Sequence, residues 1–455
     1  NISINVLHVN KLGKIDDEEV FECEDYIERN IDKIDISYES LNNLEINYPN
    51  CEIMRALFSE RDFNYFPKYY NLKAVPYEVQ LKYLVGTFKA LEHVVSVNDI
   101  DCVVSDLPSG IPDVFQSICK SKGIKYISIR SSKVMNGIVL CDDFHDTPSG
   151  LIERFNEYLG SGIPDVYKQK SQLHFDSIRE KIEMPGYMVE TGKRFNLLTI
   201  KRLLKLFSHL KKNKVFVNTV SMDKHPLINS IRWNLHRTFN IWLTKIYRSK
   251  WFYVGDMKDK IYLVFTLQYE PENSTSVRAY PFYNQMCVIE QISKALPLGV
   301  YLMVKEHKGN QGYRKGKFYN ELHYLPNVKL IRAEAPVNDL LKYSVGLITL
   351  TSRMGWESLI MKKPVIAIGK TFYTQFEYVK KPQSWNELKS MIKECVKSKN
   401  IENFPDYDKK LLAYASAYIS LTHKGIYIPK SPGVFDEENI RDVSLAILRD
   451  TGVNI

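Results

Sequence analysis

At 455 residues, the chain is too long for one ordinary hydrophobic core, and the length predicts two domains of about 200 residues each. Its 44% apolar and 25% charged content is an ordinary globular mixture, no apolar run approaches the roughly 18–20 residues of a membrane span, and no signal peptide opens the sequence. The net charge of +9 is uneven: fourteen Lys/Arg and one acid, Asp223, lie between Lys193 and Lys250, which argues for a local anionic partner and against a general nucleic-acid coat. The seven cysteines show no CxxC and no metal-ligand spacing, the usage of reduced thiols in a cytoplasmic protein.

In chain order, "SINVLHV" reads as a strand, Pro76–Val95 as a long amphipathic helix and Ile100–Asp106 as a second strand. "IPDVFQSICKSKG" reads as a helix closed by Gly123, and "IKYISIR" as the next strand. We take residues 1–150 as an N-terminal Rossmann-like domain and 151–256 as a mainly helical basic insertion or linker. Residues 257–425 alternate more clearly. The strands are Lys260–Gln268, "GVYLMVKEH", "VKLIRA", "VGLITLTS" and "PVIAIG"; the helices are Phe282–Leu296, "KGKFYNELHYL", "APVNDLLKYS" with Pro336 in its first turn, and "RMGWESLIMKK". "SWNELKSMIKECVKS" then opens with a capping box of Ser384 and Glu387. Buried strands alternating with helices predict a parallel sheet of right-handed βαβ units. Residues 426–455 read as a helical tail that crosses back to the N-terminal domain. The predicted class is therefore α/β, two Rossmann-like domains with a cleft between the carboxyl ends of two sheets. Neither GxGxxG nor GxxxxGK[ST] is present.

Four strand-to-helix turns of the second domain carry candidate chemistry. In Leu267–Thr275, Gln268, Glu270, Glu272, Ser274 and Thr275 join carboxylates to hydroxyls, a set that holds a sugar or ribose or supplies a base or nucleophile. In the cationic turn Val304–Tyr319, Lys305, His307 and Arg314 suit a phosphate, and Gly309 and Gly312 let backbone N–H groups approach it. In Leu350–Leu359, Thr351 and Ser352 begin a helix as a phosphate cradle or as a simple N-cap. There Gly355 permits close approach, and Glu357 is placed to accept from ribose hydroxyls. The aromatics of Gly369–Tyr378 stack on a base or sugar, or belong to the core.

The order Q-x-E-x-E-x-S/T, K-E-H with a downstream Arg, P-N-V, S/T-x-x-G-W-E and K-P-V-I-x-x-G-x-x-F-Y spans about Ile261–Tyr373. It resembles the capsule polysaccharide biosynthesis proteins, a family that includes Kdo transferases and related bacterial surface-glycan glycosyltransferases. One departure is Lys308, where the family usually has Pro. The resemblance implies a GT-B architecture and a nucleotide sugar, CMP- or UDP-linked, bound mainly by the second domain, with the acceptor against the first. It also implies metal-independent transfer with no cofactor, helix dipoles and cations neutralising the leaving phosphate near His307 and Lys305. In the first domain Asp106 is the best-placed base or nucleophile, with an N-cap as its plainer role. Arg130 suits an acidic sugar, and Asp142 and Asp143 are poorer candidates.

The leading expectation is transfer of a sugar, Kdo or a related acidic one, to a capsule or other surface glycan that is free or lipid-linked. A UDP-sugar 2-epimerase, a polyol-phosphate transferase and a non-catalytic scaffold domain are the alternatives. The catalytic candidates are Asp106, Glu270, Glu272 and His307. Lys193–Lys214 mixes a broad apolar helical face with cations at its edges, the pattern of an interfacial helix. The next stretch adds Trp233, Trp242, Trp251 and Phe252 beside Arg232, Arg237, Lys245, Arg248 and Lys250. An anionic inner-membrane surface is thus a further expected partner, against a packed helix or a groove for an acidic glycan.

Overall fold

The computed structural model describes residues 6–8, 20–60, 63, 73–105, 110–143, 145–180, 226–253, 255, 258–270, 272–398, 404–428 and 431–451. Asp106 and the Lys193–Lys214 block lie outside them. The chain forms two compact units, one drawn from residues 1–127 and 195–235, the other from 128–194 and 236–455.

In the first unit β1 (Val6–His8) and β2 (Val20–Glu22) pair in parallel, Val6 opposite Val20. Helices α1 (Cys23–Asn30), α2 (Tyr38–Asn47), α3 (Ile53–Ser59) and α4 (Tyr77–Val97) follow, then β3 (Cys102–Ser105), α5 (Gly110–Lys122) and β4 (Lys125–Ser131). The apolar face read in α4 buries Leu84, Phe88 and Leu91 with Ile27, Val114 and Ile118. Gly123 closes α5 at φ 71°, the left-handed conformation that glycine adopts without steric cost. Inside this core Asp113, 1% exposed, takes two 2.8 Å bonds from the Arg55 guanidinium.

The expected boundary at residue 150 is displaced. The division falls inside β4, after Ile127, and β5 (Ile138–Cys141) pairs antiparallel with the end of β4, Arg130 opposite Val139. The second unit continues with α6 (Leu151–Ser161), α7 (Asp165–Glu180), the part of α8 (Pro226–Ile246) from His236 on, α9 (Arg248–Trp251) and β6 (Ile261–Thr266). Next come α10 (Asn273–Arg278), α11 (Gln285–Ala295), β7 (Val300–Lys305), α12 (Gly316–Tyr324), β8 (Val328–Ile331) and α13 (Val337–Tyr343). β9 (Leu347–Thr349), α14 (Met354–Ile360), β10 (Val365–Ala367), β11 (Val379–Lys380), α15 (Trp385–Ser398), α16 (Tyr407–Ser420) and α17 (Glu437–Thr451) complete it. Residues 151–180 are helical, as read, and they are packed into the unit. Leu151, Tyr158, Phe175 and Ile178 share one core with Trp356, Tyr414 and Tyr418, and burial of that many apolar side chains outweighs any tendency to stand apart. The tail packs within this same unit, α17 reaching β5.

The five strands read in residues 257–425 are all present, and β11 adds a short sixth. The sheet runs β11-β10-β9-β6-β7-β8 with every pair parallel. Tyr262–Phe265 are buried on both faces of it. The α/β class with parallel sheets is as expected. After β6 the chain winds outward to β7 and β8, then returns to β9 on the other side of β6. β6 and β9 thus flank the topological switch point, where a doubly wound sheet leaves a crevice at its carboxyl edge. The capping box is half as read: Ser384 Oγ accepts from Glu387 N at 3.2 Å, but the Glu387 carboxylate accepts from Gln383 N.

Candidate functional site

Gln268, buried at the carboxyl end of β6, spans that switch point. With its side-chain oxygen toward the backbone N–H groups of Thr351 (2.6 Å) and Ser352 (2.9 Å), its amide nitrogen donates to the Thr351 and Thr275 hydroxyls at 2.8 and 3.2 Å. This orientation satisfies every group around it. The predicted cradle before α14 is therefore held by a protein amide. Ser352, one residue before the N-cap Arg353, accepts at Oγ from Met354 N at 3.2 Å. Gly355 serves packing: a Cβ there would lie 2.4 Å from the Tyr373 ring. Phe372, Tyr373 and Phe376 are at most 1% exposed, so the aromatics after Gly369 are core and not a stacking platform.

Arg314 ties the β6 and β7 ends together. Its Nη1 donates to Glu306 Oε1 at 2.5 Å, and its Nη2 donates to the Gln268 carbonyl at 2.8 Å and to Glu270 Oε2 at 3.4 Å. Glu306 is buried and also accepts from Tyr319 Oη at 2.9 Å and His307 N at 2.8 Å. Asn310, fully buried, accepts from Glu270 N at 3.3 Å. Arg314 thus shapes the turn instead of standing in it as an anion ligand. Lys305 is likewise turned inward: Nζ donates to the carbonyls of Ala333 (2.8 Å) and Arg332 (3.4 Å) beyond β8. Burial, then Lys308, lowers its ammonium to about 8.

His307 is different. Its Nδ1 accepts from Gly309 N at 3.1 Å, which places the ring proton on Nε2. Burial, then Arg314 and Lys305, pushes its pKa down to about 4, so the imidazole is a neutral donor at the mouth of the turn. Gly309 is used for this contact. Gly312, at φ 79°, admits α8: a Cβ would meet Arg237 O and Ile241 Cγ1 at 2.6 Å. From α8, Arg237 Nε donates to Gln311 O and Asn240 Nδ2 to Gly312 O, so this cationic turn is ordered by its own polar contacts.

On α14, Glu357 is 4% exposed, and burial raises its pKa to about 7 against the lowering effect of Arg353. Arg353 Nε lies 3.4 Å from Oε1, while Oε2 is buried with no hydrogen-bond partner among the described residues. His174 Nε2 accepts from Trp356 Nε1 at 3.1 Å, and burial, then Arg353, lowers it to about 4. Around the β9 end the structure therefore offers an acid that titrates near neutrality, a cation and two hydroxyls, the mixture that marks functional sites.

The remaining candidates separate. Glu270 is half-buried on Arg314, whereas Glu272 is exposed at the start of α10. The side chain of Ser274, like Asp106, is outside the described residues. Arg130 belongs to the second unit, where Asp146 gathers three cations: Arg278 by two bonds, one of 2.6 Å, with Arg130 Nε and Lys133 Nζ each at 3.6 Å. Asp142 is exposed and bonds Ser149; Asp143 accepts from His145 N at 2.7 Å. Sequence reasoning missed Glu306, Asn310, Asp146, Arg278 and His174. Glu306 and Asn310 stood in a stretch already singled out, the turn Val304–Tyr319. Among the described residues no group of three or more His, Cys, Asp or Glu could hold a metal ion.

Residues 253–377 match the family model described as capsule polysaccharide biosynthesis protein. No curated protein matches the chain. Among solved structures, the chain is similar at 14% identity to Thermosulfurimonas dismutans KpsC, a beta Kdo 2,7 transferase, with 67% of this chain and 80% of that one covered and a TM-score of 0.35. It is similar at 10% identity to Methanocaldococcus jannaschii UDP-GlcNAc 2-epimerase in complex with UDP-GlcNAc and UDP, with 69% and 74% covered and a TM-score of 0.27. TM-scores this low leave the family match as the comparison on which a functional reading stands.

Proposed function

We propose that this chain is a glycosyltransferase that moves a sugar from a nucleotide-sugar donor to a bacterial surface glycan, because its residues 253–377 match the capsule polysaccharide biosynthesis model. The observation that carries the reading lies inside the matched stretch. The carboxyl ends of β6, β7 and β9 converge on Gln268, and the neutral His307 stands beside them with its Nε2–H as a donor.

In this reading His307 Nε2–H donates to the donor's phosphate as negative charge builds on it. A neutral imidazole suits this, since its hydrogen bond strengthens with the charge and needs no proton transfer. The exposed Lys308, and Arg353 beside Glu357, add positive potential. Glu357 accepts from the donor's ribose hydroxyls, which gives its buried Oε2 a partner that none of the described residues supplies. A carboxylate takes the proton of the acceptor hydroxyl as its oxygen bonds the anomeric carbon and the sugar–phosphate bond breaks toward phosphate. Glu270, aligned by Arg314, and Asp106 are the candidates for that base.

The test is turnover. Purified protein with CMP-Kdo or UDP-sugars should release CMP or UDP faster when a capsular oligosaccharide acceptor is added, and should do so in EDTA. Release of a free epimerised sugar without acceptor would replace this reading by the epimerase one. His307→Ala should weaken nucleotide binding by about tenfold or more; calorimetry with unchanged affinity for CMP and UDP would sink the role given to it.

Attachment to an anionic membrane surface is part of the proposal, on a narrower basis than the sequence suggested. Leu235, Phe239, Trp242 and Ile246 of α8 are each more than half exposed and recur at helical spacing on one face, beside the exposed Lys245, Arg248 and Lys250. Trp251 and Arg237 are excluded from that surface. Trp251 is 5% exposed and stacks on Tyr319, and Arg237 is buried over the Tyr313 ring. No described helix is long and apolar enough to cross a membrane. Co-flotation with phosphatidylglycerol vesicles at low salt, lost on Trp242→Ser/Phe239→Ser, is expected; no flotation at low salt would remove this part.

A further inference from the structure

The second unit holds a cavity of about 770 Å³ between α6, α7 and the start of α16. It is not part of the site at the strand carboxyl ends. Lys362, one of its lining residues, sits in the turn that leads into the amino end of β10. Its volume is that of a small-molecule pocket. Two features of its lining point to a ligand.

The first is charge. Lys168, Arg179, Lys362 and Lys409 line it, and the one acid among the described lining residues is Asp408, which bonds Lys362 at 2.8 Å. Arg179 has Asp176 at the 4.0 Å limit of an ion pair and lies over the Phe175 ring. The rim is thus predominantly cationic, and its cations are exposed enough to reach an incoming anion. The second is an orphaned polar group. Tyr158, 3% exposed, lines the cavity, and its hydroxyl is buried with no hydrogen-bond partner among the described residues. A buried hydroxyl left unpaired is costly, and natural proteins keep few of them.

We infer that this cavity binds an anionic saccharide of one to three sugar units. The sugar rings lie along the part-exposed Leu159, Ile163 and Leu412, the Tyr158 hydroxyl donates to a ring or hydroxyl oxygen, and Lys168, Arg179 and Lys409 meet the carboxylates. Arg offers a fork that matches a carboxylate. A bare phosphate would occupy a small part of this volume and leave the apolar lining unused. The inference rests on the proposed function only in that an acidic glycan would be at hand; binding here requires neither donor nor turnover.

Calorimetry on the full chain tests it, with trigalacturonate as the probe, maltotriose as the neutral match and inorganic phosphate as the bare anion. Trigalacturonate should bind at least tenfold more tightly than either. Lys168→Glu/Lys409→Glu should weaken it at least tenfold, and Tyr158→Phe by three- to tenfold with an unchanged or higher melting temperature, since that change removes an unsatisfied hydroxyl. Nucleotide release from the donor, measured on the same variants without acceptor, should stay within twofold of the parent. No binding of trigalacturonate, equal binding of phosphate, or full affinity in the Lys168/Lys409 variant would each overturn the site. Trigalacturonate binding that is sensitive to Lys168 in a protein that turns over no nucleotide sugar would uphold the site and count against the proposed function alone.

Discussion

Two buried ion clusters in the second unit are built with opposite charge at the centre. At the β6–β7 end a single cation, Arg314, serves Glu306, Glu270 and a main-chain carbonyl. At the β4–β5 hairpin a single carboxylate, Asp146, serves Arg278, Arg130 and Lys133. Each ties distant segments together, 146 to 278 in one case and 270 to 306 and 314 in the other. They differ in what fails when the centre is lost. Without Arg314, one buried carboxylate keeps two other hydrogen-bond donors, Tyr319 and His307 N. Without Asp146, three cations face one another in a place where water is scarce, and burial of like charge is the costlier error.

Asp146→Asn should therefore be the most damaging single change. Breaking a buried pair by removing one partner costs about 3–5 kcal/mol, and urea unfolding should show a loss in that range. Burial raises the Asp146 carboxyl, but Arg278, then Lys133 and Arg130, overcome it and hold the carboxyl below the usual range. Its contribution is present above the ordinary carboxylate pKa and lost as pH falls through the depressed folded value. The wild type should thus lose stability at acid pH more steeply than Asp146→Asn. A loss under 1 kcal/mol would show that the three cations are not concentrated on this carboxylate.

Arg314→Met should cost less, about 2–3 kcal/mol, because Glu306 retains Tyr319. It should also loosen Glu270 and Gln268, so nucleotide affinity should fall together with stability. Arg314→Lys tests whether the fork matters: a single ammonium cannot donate in-plane to both Glu306 and the Gln268 carbonyl. Full recovery by Lys would reduce Arg314 to a point charge and break the contrast between the two clusters.

The contrast also marks the limit of what the sequence carried. The parallel sheet was legible because its strands are continuous apolar runs separated by capped helices, and capping and hydrophobic period are local signals. Strand ends were legible in the same way, so Gln268 and His307 follow β6 and β7 and Glu357 lies on the helix after β9, as read. Their partners did not follow. Arg314, Lys305, Thr351 and Ser352 look like ligands for an anion when read alone, and the fold spends them on Glu306, on carbonyls and on Gln268. The placement of 128–180 in the second unit was equally hidden, since Tyr158, Phe175 and Trp356 meet only through tertiary packing.

Gly312→Ala probes the Arg314 side from its outer wall. The residue has φ 79°, and the added Cβ would lie 2.6 Å from Arg237 O, so both backbone and space oppose it. A loss of about 1–3 kcal/mol is expected, with the Arg237 and Asn240 contacts to the turn weakened and Arg314, two residues on, displaced. Unchanged stability in thermal unfolding would mean that α8 does not fix the turn.

Glu357 stands between the two extremes, a buried carboxylate with one cation, Arg353, and one oxygen with no partner among the described residues. Here burial wins and the pKa rises to about 7. An acid raised in the folded state favours folding when protonated, so its contribution is full below the ordinary glutamate value of about 4.3 and is lost as pH climbs through about 7. His174 and His307, both lowered to about 4, act in the opposite sense: their contribution is full above the ordinary histidine value and is lost as pH falls toward 4. Glu357→Gln keeps the shape and removes the ionisation. The wild type should lose on the order of 1 kcal/mol between pH 5 and 8 through this group, and the variant should not, while the acid-side loss from the histidines stays in both. Saturating nucleotide should narrow the difference, because a ribose hydroxyl donating to Oε2 favours the ionised carboxylate. Identical pH profiles for variant and wild type would show Glu357 ionised throughout, with Arg353 then holding it as Asp146 is held by its three cations.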